Sequence, residues 1–231
     1  MTGAQTHELT PAIDGSALAL SELRMSPGSG QSIGEDERDS LLFVVAGSGS
    51  LTLGSENRPL HAGAGGLILA GEEAQLSADA SELRVVRATI EPEADRHAPI
   101  GSREIVATLV RADSEKATGA RSFQILFGPH NGSTRATLFA GYIPPGKAPW
   151  HYHLYDEIVW VPDGPGRLHI GDTTEELGPG STFRLRPRQV HIVENLSESA
   201  VMTVIGIFTP AGSPSAAYLT PEIAAEYRFA G

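Results

Sequence analysis

Residues Gly47-Ser48-Gly49-Ser50-Leu51-Thr52-Leu53-Gly54 return 117 positions later as Gly164-Pro165-Gly166-Arg167-Leu168-His169-Ile170-Gly171. The same offset sets Leu60 on Leu177, Gly63 on Gly180 and Ile68 on Leu185. Upstream, Pro27-Gly28 meets Pro145-Gly146 at an offset of 118, a one-residue indel. Glycines recur where turns need positive φ, and alternating apolar residues recur where strands need a core face. A match held in register over about forty residues indicates duplication, so the chain is read as two similar domains, residues 1–98 and 99–231, joined near residues 93–103.

Around this repeat the apolar segments are short, for example Leu41–Ala46, Leu83–Ile90, Thr137–Ile143 and Val201–Phe208. Turn signals recur about every ten residues, which is the rhythm of an all-β sandwich or barrel rather than of βαβ units. Helical signals wait until Thr220-Pro221-Glu222, an N-cap, a first-turn proline and an acidic first turn, which predict a short C-terminal helix over Pro221–Tyr227.

The chain has 231 residues, 28 acidic against 17 basic side chains, a net charge of -11 and no cysteine. Without cysteine there is no disulfide scaffold, no thiolate-held zinc and no thiol nucleophile. The acidic balance argues against nucleic acid, which needs a basic footprint, and against an anionic membrane surface. The N-terminus lacks a basic segment followed by an apolar one, and no apolar run approaches the ~20 residues that span a bilayer. The expectation is a cytoplasmic protein.

The chemistry is concentrated in the second copy. His151 and His153 stand at i and i+2, so on a strand both point to one face and can reach one metal ion. Glu157 lies four residues on, also on that face if the strand continues, and His191 lies on a later predicted strand. Imidazole nitrogens and a carboxylate oxygen suit first-row divalent metals. Two histidines and a glutamate on a buried face are unfavourable unless something compensates them.

Residues Gly146 to Gly164, containing His151-Tyr152-His153 and Glu157, resemble the first motif of the cupin family. Residues Gly180 to Asn195, with His191 between them, resemble the second. Two departures touch no ligand position: Gly146 is one residue closer to His151 than the family pattern, and Arg186 and Arg188 flank Pro187 where the pattern has Pro and Gly. The resemblance implies two tandem cupin barrels of the double-stranded β-helix or jelly-roll type. It also implies that His151, His153, Glu157 and His191 hold one divalent transition metal, Fe, Mn, Ni or Zn, with Glu157 doubling as a candidate base. In the first copy those ligands fall, within one residue, on Gly34, Asp36, Ser40 and Ala74. That copy is read as a degenerate barrel without metal.

The function this implies is a metal-dependent bicupin enzyme acting on a small organic molecule, with a dioxygenase of the quercetin-cleaving type as the leading expectation. The alternatives are a non-oxidative isomerase, cyclase or lyase, and a non-catalytic binder of small molecules or carbohydrates. A homodimer is expected from the same resemblance. Aromatic residues Phe123, Phe127, Phe139, Tyr142 and Trp160 are candidates for the pocket wall, while Trp150 and Tyr152 alternate with the ligands and should point away from it. Arg184, Arg186 and Arg188 alternate along one strand and could offer a positive rim to a carboxylate substrate. Tyr155 and Asp156 are candidates for orienting the ligand shell.

Overall fold

The computed structural model describes residues 4–11, 16–110, 114–117 and 120–219. The expected C-terminal helix, Pro221–Tyr227, lies outside the described residues. Among those residues the regular structure is strand throughout, apart from one 3₁₀ turn at Pro129–Asn131. No helix of the described residues is long and apolar enough to cross a membrane.

Ten strands come from the first part of the chain: β1 (Gln5–Thr10), β2 (Leu18–Met25), β3 (Gly30–Ile33), β4 (Asp39–Ala46), β5 (Ser48–Leu53), β6 (Glu56–His61), β7 (Ala64–Ile68), β8 (Ala74–Ala78), β9 (Leu83–Ile90) and β10 (Val106–Thr108). They form one sheet in the order β1-β2-β9-β4-β7-β10 and a second in the order β3-β8-β5-β6. Twelve follow: β11 (Glu115–Lys116), β12 (Ser122–Phe127), β13 (Thr137–Ile143), β14 (Gly146–Lys147), β15 (His151–His153), β16 (Asp156–Trp160), β17 (Gly166–Ile170), β18 (Thr173–Leu177), β19 (Thr182–Leu185), β20 (His191–Asn195), β21 (Met202–Thr209) and β22 (Ala217–Leu219). Their orders are β11-β12-β13-β21-β16-β19 and β18-β17-β20-β15-β22, with β14 also on β20. The residues group into two compact units. One comprises residues 1–109, 126–138 and 207–212, and the other residues 110–125, 139–206 and 213–231.

The duplication is visible strand by strand. Ser40 pairs with Ile68 between β4 and β7, and Glu157 pairs with Leu185 between β16 and β19, each residue 117 positions from its counterpart. The turns agree as well. Gly54 and Gly171 lie at φ 58 and 53, and Gly63 and Gly180 at φ 86 and 88. A side chain is strained in that left-handed region, which explains why glycine stands in both copies. The indel can also be placed. Ile33 pairs with Ala74 as His151 pairs with His191, so His151 answers to Ile33 and His153 to Glu35, one residue from the Gly34 and Asp36 given by the plain offset.

Each copy buries its own apolar core. The first is built on Leu42, Val44, Leu51, Leu76, Leu83 and Val85. The second is built on Val159, Val161, Leu168, Phe183, Val193 and Val204. Burial of this kind stabilises by about 25 cal/mol per Å² of apolar surface removed from water. Within the second core Asn195 is buried, donates to the carbonyls of Ile143 (2.8 Å) and Ala200 (2.7 Å), and accepts from the Ser197 N–H (2.9 Å). It ties β20 to β13 and closes the loop that follows it.

The first copy fills its ligand positions with a different chemistry. Arg87 of β9 donates from Nε and Nη2 to Ser40 Oγ (3.1 and 2.9 Å), and Nη2 also meets Glu35 Oε1 at 2.8 Å. Arg38 then bridges Glu35 and Glu91, at 2.9 Å each. Ser40 and Glu35 answer to Glu157 and His153, so a guanidinium and its carboxylate stand where the second copy has a histidine and a buried glutamate. The cation there is Arg87, and its charge is paired with Glu35.

Candidate metal centre

His151 and His191 are direct cross-strand partners on β15 and β20, with ring centroids 4.4 Å apart. His153 is two residues along β15 and its ring lies 4.7 Å from that of His191. All three are buried, and their ligand nitrogens lie within 4.8 Å of one another. The spacing of the first two follows from the pleat, which returns residues i and i+2 to one face.

Glu157 arrives by another route than the one expected. β15 ends at His153, the chain bends at Leu154 and Tyr155, and β16 begins at Asp156 in the other sheet. The strand does not continue, yet the new strand turns Glu157 inward, where its Oε2 lies 3.1 Å from His153 Nε2. Two ligands at right angles on one ion, each about 2.1 Å from it, sit about 3 Å apart, so this separation suits a shared metal as well as a hydrogen bond. The carboxyl is buried.

The donor set passes a second test. His151 Nδ1 lies 2.9 Å from the Pro149 carbonyl, and His191 Nδ1 lies 2.9 Å from the Gln189 carbonyl. A carbonyl only accepts, so Nδ1 carries the proton in both rings and Nε2 is left with its lone pair. His153 Nδ1 makes no hydrogen bond of ordinary geometry, although the Tyr155 backbone lies close enough to favour the charged ring. Its ring stacks on that of Tyr155 at 4.2 Å and 11°, which limits its rotation.

The electrostatics keep these rings neutral. Burial lowers the pKa of His151 to about 4, with the Arg121 charge adding to the effect. Burial and His151 lower His153 to about 3. Burial, His151 and His153 lower His191 to about 2. Burial, helped by Asp156, raises Glu157 to about 8. Burial likewise raises the Tyr155 hydroxyl.

These shifts fix the pH behaviour of the metal-free protein. Below the ordinary histidine value of 6.5 the unfolded chain takes up protons that the three folded rings refuse, so acidification from there toward about 4 destabilises the fold. Above 4.5 the unfolded chain releases a proton that folded Glu157 keeps up to about 8, so raising the pH through that window also destabilises. Below 6.5 three histidines outweigh one carboxyl. The expected result is a melting temperature that peaks near pH 6.5 in the presence of chelator and falls on both sides. Added metal should flatten the alkaline limb, because it takes the proton's place at Glu157. Thermal melts from pH 5 to 8.5, with chelator and with metal, check this.

The cluster opens into a cavity of about 100 Å³. Its walls include Phe123, Phe139, Tyr142, Val159, Phe183 and Val204, with Tyr155 and Arg121 among the polar groups. Phe123, Phe139 and Tyr142 therefore reach the site as expected, whereas Phe127 and Trp160 are buried elsewhere. Trp150 and Tyr152 do point away: Tyr152 stacks on Tyr218 at 5.5 Å, and Trp150 meets the edge of His169. The expected positive rim is only partly present. Arg184 is paired with Asp156 at 2.9 Å, which also occupies the carboxylate expected to orient ligands, while Arg186 and Arg188 are exposed.

Sequence reasoning missed Arg121. It precedes β12, lies outside both motifs, and nothing in its neighbours Ala120 and Ser122 marks it.

Comparison with known proteins agrees with this geometry. Residues 140–208 match the cupin domain model, a span that contains all four site residues. That segment is similar to a cupin domain. No curated protein matches the chain in sequence. Among solved structures, a mutant of oxalate decarboxylase from Bacillus subtilis superposes with a TM-score of 0.73 at 13% identity, covering 99% of this chain and 80% of that one. A cupin 2 conserved barrel domain protein from Leptotrichia buccalis gives 0.62 at 13% identity, covering 90% and 89%. Protein Ylba from E. coli gives 0.68 at 10% identity, covering 90% and 83%. At these identities the likeness is one of fold, and it extends the cupin fold to two tandem barrels.

Proposed function

We propose that the chain is a metal-dependent cupin enzyme acting on a small organic substrate in its second barrel. The observation that carries this reading is the convergence of three buried, neutral histidines on one cavity, with Glu157 beside them. His151, His153 and His191 would hold a divalent metal through nitrogen, and Glu157 through oxygen. When bound, such a metal acts as a Lewis acid toward a substrate oxygen. Manganese is the first choice among the candidates, since a solved oxalate decarboxylase of this fold is described by its Mn(II) centres.

The protein's own residues would set the rest. Phe139, Val159, Phe183 and Val204 exclude water and lower the local dielectric, which strengthens every charge interaction inside. Tyr155 fixes the His153 ring. Glu157 keeps a proton at neutral pH in the metal-free protein and would surrender it on loading. The size of the cavity bears on the substrate. About 100 Å³ is well below the roughly 300–1,000 Å³ that encloses drug-sized ligands, so it favours a substrate of a few heavy atoms over a flavonol.

Oxygen-dependent cleavage of a small enol-type substrate is the second reading, favoured by the aromatic and aliphatic walls that would shield an electron-rich substrate from water. Turnover of a panel of small carboxylates, 1,3-diketones, catechols and flavonols by manganese- and iron-loaded protein, with and without air, tests both. Conversion of the small members without oxygen is the expected result. Strictly oxygen-dependent conversion moves the weight to a dioxygenase, and binding without conversion would overturn the enzymatic reading.

A further inference from the structure

Arg121 is the one cationic side chain other than the histidines among the described residues that line the cavity. It is partly buried, and its pKa is lowered to about 10 by burial, so it stays charged at neutral pH. Buried cations normally meet an anion. Arg121 has no ion pair with any described carboxylate, and the hydrogen bond of its side chain runs from Nη2 to the Val193 carbonyl at 2.6 Å. A guanidinium offers five donors in a planar fork. The fork is held at one corner by the strand that carries His191, and its charge is felt by both His151 and His191.

The other arginines behave differently. Arg184 is paired with Asp156, and Arg87 in the first barrel is paired with Glu35. In the second barrel the cation that lines the cavity therefore has no carboxylate partner among the described residues. Val193 and the hairpin register Lys116 to Ser122 fix the position of Arg121, so the fork is pre-organised.

We propose that Arg121 is a substrate-binding residue that holds the carboxylate of a small anionic substrate and turns its other end toward the histidine cluster. This deepens the metal-dependent reading and rests on it for the second half of the statement. The neutral imidazoles provide no charge for the anion, and a metal partly balanced by Glu157 would leave positive charge at the far end of the cavity. A small molecule with a carboxylate at one end and a carbonyl or carboxyl oxygen at the other fits both ends. An uncharged polycycle fits neither the charge nor the volume.

The test uses the full chain loaded with manganese, with metal content measured beside it. Oxalate, pyruvate and malonate are titrated calorimetrically into the wild type, Arg121→Gln and Arg121→Lys, together with the matching amides. At least one carboxylate should bind the wild type. Loss of a charge-assisted, forked pair should weaken that binding roughly 10- to 100-fold in Arg121→Gln and less in Arg121→Lys, with metal content unchanged. The amides should bind weakly and lose little. Equal carboxylate binding by wild type and Arg121→Gln would overturn the proposal, as would no binding of any carboxylate by the wild type. A parallel loss for acids and amides would also overturn it, because that is what a merely structural arginine predicts. Should Arg121→Gln fail to fold by circular dichroism, Arg121→Lys decides by the same comparison. If the wild type holds no metal, the metal-dependent reading fails by itself. Carboxylate binding lost with Arg121 would still be read in the metal-free protein.

Discussion

Replacing His151 and His153 together by alanine should abolish metal binding and leave the second barrel folded. Both rings are buried on one face of β15, and removing them takes two of three nitrogens from the cluster. The remaining His191 and Glu157 are too few to compete with water for a divalent ion. The barrel core does not depend on these rings, since it is built on Val159, Val161, Phe183 and Val193. Buried imidazoles are held neutral at the expense of their hydration, so their loss is milder than an equal loss of aliphatic volume. The readout is the metal-dependent part of the melting temperature. At a metal concentration about 100 times Kd the wild type should gain about 2.7 kcal/mol, or roughly 5–10 °C at this size. The double variant should gain nothing. A retained shift, with metal still stoichiometric by elemental analysis, would sink the ligand assignment.

Gly206→Ala should damage both stability and metal binding, although residue 206 donates nothing. A Cβ there would lie 2.2 Å from Phe139 Cε1, 2.5 Å from Phe139 Cζ and 2.7 Å from Glu157 Oε1. The buried ring and the carboxylate must both give way. Overpacking of this kind destabilises by about 1–3 kcal/mol. Displacing a ligand's carboxylate typically weakens metal affinity by roughly 10–100-fold. Adding Phe139→Leu should recover part of the stability by making room on the ring side. Chemical denaturation and metal titration of the single and double variants check this. Normal affinity in Gly206→Ala would mean that Glu157 is not a ligand.

Gly206 also explains what the duplication achieved. Its counterpart in the eight-residue strand β9 is Arg87, whose guanidinium reaches Ser40 and Glu35. One copy fills the space with an arginine paired to a glutamate. The other leaves it empty of side chain, so that Phe139 and Glu157 can occupy it. The two barrels share a backbone plan and differ in what they place at Ile33, Glu35, Ser40, Ala74 and Arg87, where the second has His151, His153, Glu157, His191 and Gly206.

Much of this was legible in the sequence, for physical reasons. Glycines at Gly54, Gly63, Gly171 and Gly180 are demanded by backbone geometry, so they mark turns in both copies. His151 and His153 report a shared strand face because the pleat has period two. His191 could be placed because residues Gly180 to Asn195 around it resemble the second cupin motif. The inward turn of Glu157 was reached through a strand break that spacing does not reveal. A bend at Leu154 and Tyr155 changes sheets, and the residue arrives on the correct face from the other side. The pairing of Arg184 with Asp156, and the meeting of Arg121 with the Val193 carbonyl instead of a carboxylate, depend on which distant segments meet. Charge alternation along a strand carries no such information, so of the arginines read as a rim Arg184 is paired with Asp156 while Arg186 and Arg188 face solvent, and the buried cation came from outside every motif.

The most direct measurement of the central claim is anomalous diffraction from crystals of metal-loaded protein, collected above and below the absorption edge of the metal used. The account predicts one strong peak per chain, within bonding distance of nitrogens from His151, His153 and His191 and of a Glu157 oxygen, and no peak near Arg87 in the first barrel. The absence of a peak at the histidines, or a peak that leaves them uncoordinated, would contradict it.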